Sequence, residues 1–219
     1  MVEAILWDND GVLVDTEGLF FAVTRDALAR AQVALTREVF LDFVMGSGRT
    51  VFELAEARGW TPDNVAALRR ERDAAYADLL RNGPSLAIDG IAETLQALHG
   101  RARMAIVTTS SREHFELAHR HTGLRRFFEV VVAREDYEQS KPHPEPYLTA
   151  LRRLGLHPGR CVAIEDSERG LTAATHAGLR CIVVPNELTR GCAFVGASAV
   201  LADSRAILAA LASLQTNKV

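Results

Sequence analysis

Two aspartates separated by a single residue, Asp8 and Asp10, follow an apolar run that ends at Trp7, and Gly11 comes next. Polar groups follow two other apolar runs: Thr108-Thr109-Ser110-Ser111 after residues 103–107, and Glu165-Asp166-Ser167 after residues 161–164. Lys141 stands beyond a further run, 130–133, in Ser140-Lys141-Pro142. Of 25 basic residues only Lys141 and Lys218 are lysine, so Lys141 is the one lysine away from the C-terminus. Four carboxylates gathered in one crevice would raise one another's pKa unless a cation sat among them. Oxygen ligands on loops suit Mg²⁺ better than zinc. The hydroxyls and exposed amides of residues 108–111 suit a phosphate, and the capping-box spacing of Ser110 and Glu113 predicts a helix N-terminus there. Lys141 would neutralise both Asp8 and the phosphate as a point charge. With charge repulsion cancelled in this way, a carboxylate at Asp8 can attack phosphorus and form an aspartyl phosphate. Asp10, two residues on along an extended segment, points to the same side. It is placed to protonate the leaving oxygen and then to activate water.

These groups need elements to hold them. The apolar runs at 3–7, 103–107, 130–133, 161–164 and 181–184 read as buried strands, each followed by a turn and a helical pattern. Continuous apolar strands alternating with helices predict a parallel sheet covered on both faces. In such a sheet, function gathers beyond the carboxyl ends of the strands. Gly100, Gly155 and Gly178 read as C′ glycines, Asp89 as an N-cap, and Pro144 or Pro146 as a helix start.

The first and second strands lie too far apart for an ordinary crossover. The intervening stretch is helical in pattern, restarts at Thr61-Pro62 and is divided at Gly46-Ser47-Gly48-Arg49 and Arg58-Gly59-Trp60. The expected architecture is α/β: a Rossmann-like parallel sheet core of residues 1–16 and 85–219, with an all-helical cap domain inserted at 17–84. Linkers near 14–17 and 82–86 join the two.

Composition narrows the classes. With 219 residues, 48% hydrophobic, the chain can build a sizeable core plus a smaller module. A formal net charge of −3, with arginines scattered among acids, argues against a nucleic-acid partner. No apolar run is long enough to cross a bilayer, and the first residues lack a basic n-region, so a cytoplasmic protein is expected. Cys161, Cys181 and Cys192 have no metal spacing and read as reduced, packed thiols.

The motifs Asp8-Asn9-Asp10-Gly11-Val12-Leu13-Val14-Asp15-Thr16-Glu17, Thr108-Thr109-Ser110, Lys141-Pro142-His143-Pro144-Glu145 and Glu165-Asp166-Ser167-Glu168-Arg169-Gly170 span most of the chain. In this order they resemble the haloacid dehalogenase superfamily, in the branch with a helical cap after the first motif. The resemblance implies Asp8 as nucleophile and Asp10 as acid/base. It implies Mg²⁺ held by the Asp8 carboxylate, the Asp10 backbone carbonyl and Asp166, with Glu165 direct or through water. Thr108, Ser110 and Lys141 would bind the transferring phosphoryl group.

Departures from the motifs sort the branches. Dehalogenases of this superfamily lack the second aspartate, so Asp10 argues against them. Phosphonate hydrolases need a Schiff-base lysine from the cap, and no lysine precedes Lys141. The nearest resemblance is to the β-phosphoglucomutase-like group, which also contains sugar-phosphate and sugar-bisphosphate phosphatases. There, Arg49 on its Gly-rich loop would meet a distal phosphate, and Arg72 before Tyr76 would be a second cap contact. Mutases of the group carry a proton-gating histidine where this chain has Phe20, which favours a phosphatase over a sugar phosphomutase. A third reading, a non-catalytic ligand-binding module on the same fold, is opposed by the intact carboxylate set. Glu17 reads as the acid that opens the first cap helix. His114, His119 and His121 read as surface residues, Trp7 as core packing, and the protein as a monomer whose cap moves over a small phosphorylated substrate.

Overall fold

The computed structural model describes residues 2–43 and 49–216. Six parallel strands form one sheet: β1 (Ala4–Trp7), β2 (Arg103–Val107), β3 (Val130–Val132), β4 (Cys161–Glu165), β5 (Arg180–Val183) and β6 (Ala199–Val200). Their order is β3-β2-β1-β4-β5-β6, so the chain winds outward from β1 in both directions. That reversal opens a crevice beyond the carboxyl end of β1, where a doubly wound sheet binds its ligand. Trp7 is in register with Ile106 on one side and Ile164 on the other, which sets Asp8 level with Val107, one residue before Thr108, and with Glu165.

Alternation along the strands feeds two cores. Ile5, Trp7, Met104, Ile106, Val162, Ile164 and Ile182 face helices α5 (Ile91–Leu98), α6 (Arg112–His119) and α9 (Ile207–Thr216). Ala4, Leu6, Ala105, Val107, Ala163 and Val183 face α7 (Glu145–Leu154) and α8 (Glu168–His176). Both faces of the sheet are therefore buried, as the unbroken apolar runs require.

Among the described residues, four α-helices stand between β1 and α5: α1 (Glu17–Arg30), α2 (Arg37–Phe40), α3 (Glu53–Glu56) and α4 (Pro62–Asn82). They enclose an apolar cluster of their own, built on Leu28, Phe40, Phe52, Val65 and Leu68. Thr61 caps α4 by accepting from the Asn64 amide, with Pro62 at the first helical position. The chain enters and leaves this cap along paired segments: Asp15 N donates to Leu86 O at 2.8 Å, and Val14 bridges Ala87.

Four local expectations change. The two-residue β6 is too short to show as an apolar run. Gly90, not Asp89, holds the N-cap position of α5, and Asp89 pairs with Arg205 instead. Ser111, not Ser110, caps α6 by accepting from the His114 amide, which releases Ser110 for the crevice. Gly155, at φ 66°, closes α7 as expected, but His119 is buried rather than on the surface. Among the described residues no helix is long and apolar enough to cross a membrane.

Candidate active site

The β1 ladder carries the first aspartate into the crevice: Asp8 N still donates to Ile164 O at 2.9 Å. Lys141, only 4% exposed, reaches Asp8 from the segment before α7. Its ammonium donates to Asp8 Oδ1 at 2.6 Å, Glu165 Oε1 at 2.7 Å and Val107 O at 2.8 Å. All three of its N–H donors are thereby used, and an ammonium buried beside two carboxylates stays protonated. Burial alone would lower its pKa, but Asp8 and Glu165 outweigh that and raise it.

The Asp10 carboxylate turns toward hydroxyls. Its Oδ1 accepts from Thr16 at 2.5 Å, and its Oδ2 from Thr108 at 3.1 Å and Ser110 at 2.8 Å. Thr109 also lines the crevice, where Arg169 donates to its hydroxyl at 3.1 Å. The tight turn between the aspartates and Val14 closes on the Asn9 carbonyl, which accepts from Val12, Leu13 and Val14. Gly11 sits in that turn at φ +81°, and a Cβ there would overlap Asp166 Oδ2 and Asn186 Nδ2.

Asp8, Glu165 and Asp166 bring carboxylate oxygens within 4.8 Å of one another, and all three residues are buried. Burial pushes Asp8 up to about 7, with Lys141 opposing and Glu165 and Asp10 adding to it. Asp166 is raised well above its ordinary value by burial and by the charges of Glu17, Asp8 and Glu165. Acids that raise one another's pKa in an all-oxygen cluster suit a hard divalent cation, so the residues present fit Mg²⁺. The Asp10 carboxylate lies outside this cluster, which leaves its backbone carbonyl as the atom the resemblance assigns.

A cavity of ≈ 390 Å³ joins these groups to the cap. Phe20, Phe40, Arg72 and Tyr76 form part of its cap wall, and His114, Arg134 and Arg169 lie on the core side. Arg72 is stacked 4.5 Å from the Phe20 ring and donates through Nε to Asp73 at 2.8 Å. Arg49 is placed elsewhere. It pairs with Glu53 at 2.5 Å, rests over the Phe43 ring, and is not among the residues lining the cavity. Gly46, Ser47 and Gly48 of its loop lie outside the described residues.

Several cavity or supporting residues differ from the sequence reading. Glu17 does open α1, but it also faces the cavity, accepting from Asn186 Nδ2; burial raises it to about 8. Asn186 Nδ2 also donates to Asp166 at 2.7 Å. It lies just past β5, so reading one more strand end would have found it. His119, at the end of α6, is 2.7 Å from Asn9 Oδ1, and His114 stacks on Tyr76 beside the cavity. Of the three histidines only His121 is exposed. Gly170 makes room for Glu165, whose carboxylate a Cβ there would overlap. Tyr147 donates to Glu165 Oε1 at 2.5 Å, and burial keeps its phenol protonated.

The chain is 36% identical to protein CbbY of Cereibacter sphaeroides, over 98% of this chain and 97% of that one. It is 31% identical to a phosphorylated carbohydrates phosphatase of Thermotoga maritima, over 91% and 93% of the two chains. A crystal structure of CbbY from Rhodobacter sphaeroides, in complex with xylulose-(1,5)bisphosphate, superposes with a TM-score of 0.81 at 33% identity, covering 96% of this chain and 99% of that one. A family model for haloacid dehalogenase-like hydrolases matches residues 5–184, a span that holds Asp8, Glu165 and Asp166 together with Lys141. The doubly wound sheet, the crevice at the end of β1 and these matches together establish that the chain belongs to the haloacid dehalogenase-like hydrolase family.

Proposed function

We infer that this chain is a Mg²⁺-dependent phosphatase that hydrolyses a small phosphorylated metabolite, a sugar phosphate or bisphosphate, through an aspartyl phosphate on Asp8. The observation that carries the reading is the Lys141 ammonium, buried against Asp8 Oδ1 at 2.6 Å at the edge of a three-carboxylate cluster. A nucleophilic carboxylate needs its charge opposed before it can approach phosphorus.

Residues 1–16 and 85–219 form the catalytic core in this reading, and 17–84 the cap, which closes over substrate and excludes bulk water. Thr108, Thr109, Ser110 and Lys141 bind the phosphoryl oxygens, with Thr108 and Ser110 exchanging the Asp10 carboxylate for them. Asp8 forms a bond to phosphorus as the bond to the leaving oxygen breaks, and Asp10 gives that oxygen its proton. Asp10 then takes a proton from water, which attacks phosphorus and restores the Asp8 carboxylate with release of inorganic phosphate. The carboxylates of Asp8, Glu165 and Asp166 and the carbonyl of Asp10 would hold Mg²⁺, whose charge offsets that of the phosphoryl oxygens.

Arg72 in the cap wall supports a substrate with a second anionic group, in keeping with the bisphosphate bound by the CbbY relative. The phosphomutase alternative draws no support from Phe20, which packs edge-on against Tyr76 and offers no proton. The test is hydrolysis of p-nitrophenyl phosphate with Mg²⁺. Wild type is expected to be active, to lose activity on chelation and to recover it with Mg²⁺, and Asp8→Asn to be inactive. Unchanged turnover in Asp8→Asn would remove the nucleophile assignment, and isomerisation of a hexose 1-phosphate without phosphate release would favour the mutase.

A further inference from the structure

Behind the site lies a tyrosine that the proposed chemistry does not use. Tyr147 is fully buried on the first turns of α7, under the sheet face that carries β4. Its hydroxyl donates to Glu165 Oε1 at 2.5 Å, and its ring lies 5.0 Å from the Lys141 ammonium. Glu165 Oε1 therefore accepts from two donors, since Lys141 binds the same oxygen at 2.7 Å. The other oxygen faces Gly170, where the missing Cβ leaves just the space the carboxylate fills. The carboxylate is held from both sides and cannot turn without breaking a buried hydrogen bond.

The arrangement decides where the ammonium rests. A buried lysine between two carboxylates can drift to either one. If it drifted to Glu165, Asp8 would lose the charge that opposes repulsion from phosphate. A phenol donating to Glu165 Oε1 weakens that oxygen's pull on the ammonium and fixes its position, while the aromatic ring supports the cation from beneath. Val107 O and Asp8 Oδ1 take the remaining N–H groups.

We propose that Tyr147 is a positioning residue that, through Glu165 and through its ring beneath Lys141, holds the ammonium on Asp8 and the Glu165 carboxylate in the metal cluster. The inference rests on the phosphatase reading for its kinetic consequence only; its binding consequence stands apart from that reading. Outer partners of metal-binding groups commonly alter affinity or activity by about 10- to 100-fold.

The test compares wild type, Tyr147→Phe, which keeps the ring, and Tyr147→Leu, which removes it. Calorimetric titration with Mg²⁺ alone is expected to show binding weakened about 10-fold or more in Tyr147→Phe. Its kcat on p-nitrophenyl phosphate at saturating Mg²⁺ should fall by about the same factor, with KM within about twofold and the circular dichroism spectrum unchanged. Tyr147→Leu should lose more, and if it does not fold, the Phe variant decides. In a Glu165→Gln background, Tyr147→Phe should add little further loss, because both changes cut one linkage. Wild-type Mg²⁺ affinity and kcat in Tyr147→Phe, or equal losses in both backgrounds, would overturn the proposal. A wild-type protein that binds Mg²⁺ yet leaves p-nitrophenyl phosphate intact would instead overturn the phosphatase reading, and the Mg²⁺ titrations would still decide the role of Tyr147.

Discussion

At the scale of single residues, the acids of this site depend on neighbours that have no side chain. Gly170 gives Glu165 its space, and Gly11 does the same for Asp166 and Asn186. Glu165 has nowhere to retreat, since Lys141 and Tyr147 hold its Oε1 on the other side. Gly170→Ala should therefore behave as an overpacked core substitution, costing about 1–3 kcal/mol in urea unfolding and weakening Mg²⁺ binding by calorimetry. Gly18→Ala is the matched control. It lies on α1 with nothing near its Cβ position, so it should be neutral or stabilising by about 0.5–1 kcal/mol. A Gly170→Ala protein as stable as wild type, with unchanged Mg²⁺ affinity, would show that Glu165 has more freedom than its contacts indicate.

At the scale of elements, α6 does two jobs with its two ends. Its N-terminus, capped by Ser111, adjoins Ser110 and the crevice. Its last residue, His119, ties back to Asn9 between the two aspartates, and its Nδ1 lies 3.1 Å from the Thr122 hydroxyl. Burial pushes the His119 pKa down to about 4, with Asp10 opposing and Arg125 assisting, so the folded protein holds the ring neutral. The unfolded chain takes up a proton near pH 6.5 and the folded one only near pH 4, so this contribution is present above pH 6.5 and is lost as the pH falls toward 4. The loss amounts to about 3 kcal/mol at most. Urea unfolding of wild type and His119→Gln from pH 8 to pH 4 measures it. The variant should be less stable at pH 8, with the gap closing across that window; a constant gap would mean that the ring does not titrate in this way.

At the scale of the whole molecule, the cavity exists because the cap lies over the core. Tyr76 and Leu80 of α4 and Val23 of α1 share a buried cluster with Val14 of the linker and Ala118 of α6. Arg72 of α4 then lines the same cavity as Asp8. A substrate with phosphate at both ends would span the two parts, whereas p-nitrophenyl phosphate would engage the core alone. Arg72→Gln should accordingly raise KM for a sugar bisphosphate by about 10-fold or more, the loss expected for a hydrogen bond to a charged group. Its kcat/KM for p-nitrophenyl phosphate should stay within about threefold. An equal effect on both substrates would assign Arg72 to cap stability, through its stacking on Phe20 and Phe52.

The sheet and its chemical groups were legible in the sequence for a local reason. Strands buried on both faces must be continuously apolar, so the point where such a run stops and an acid or hydroxyl begins marks a carboxyl end. Asp8, Asp10, Thr108, Glu165 and Asp166 could all be gathered in this way, Lys141 stood out as the one lysine away from the C-terminus, and the long helical stretch after the first strand announced the cap. Other roles had no local signature. A histidine or glutamate within a helical pattern looks alike whether it faces water or a buried partner, so His119 and Glu17 read as ordinary until Asn9 and Asn186 are brought against them. Tyr147 has no local signature of its role, and only the packing of α7 on the sheet sets its hydroxyl against Glu165. What Asp8 can do was written in its own neighbourhood. Which groups hold it there was decided by distant segments, because a buried charge is stabilised only by the partners that folding brings into reach.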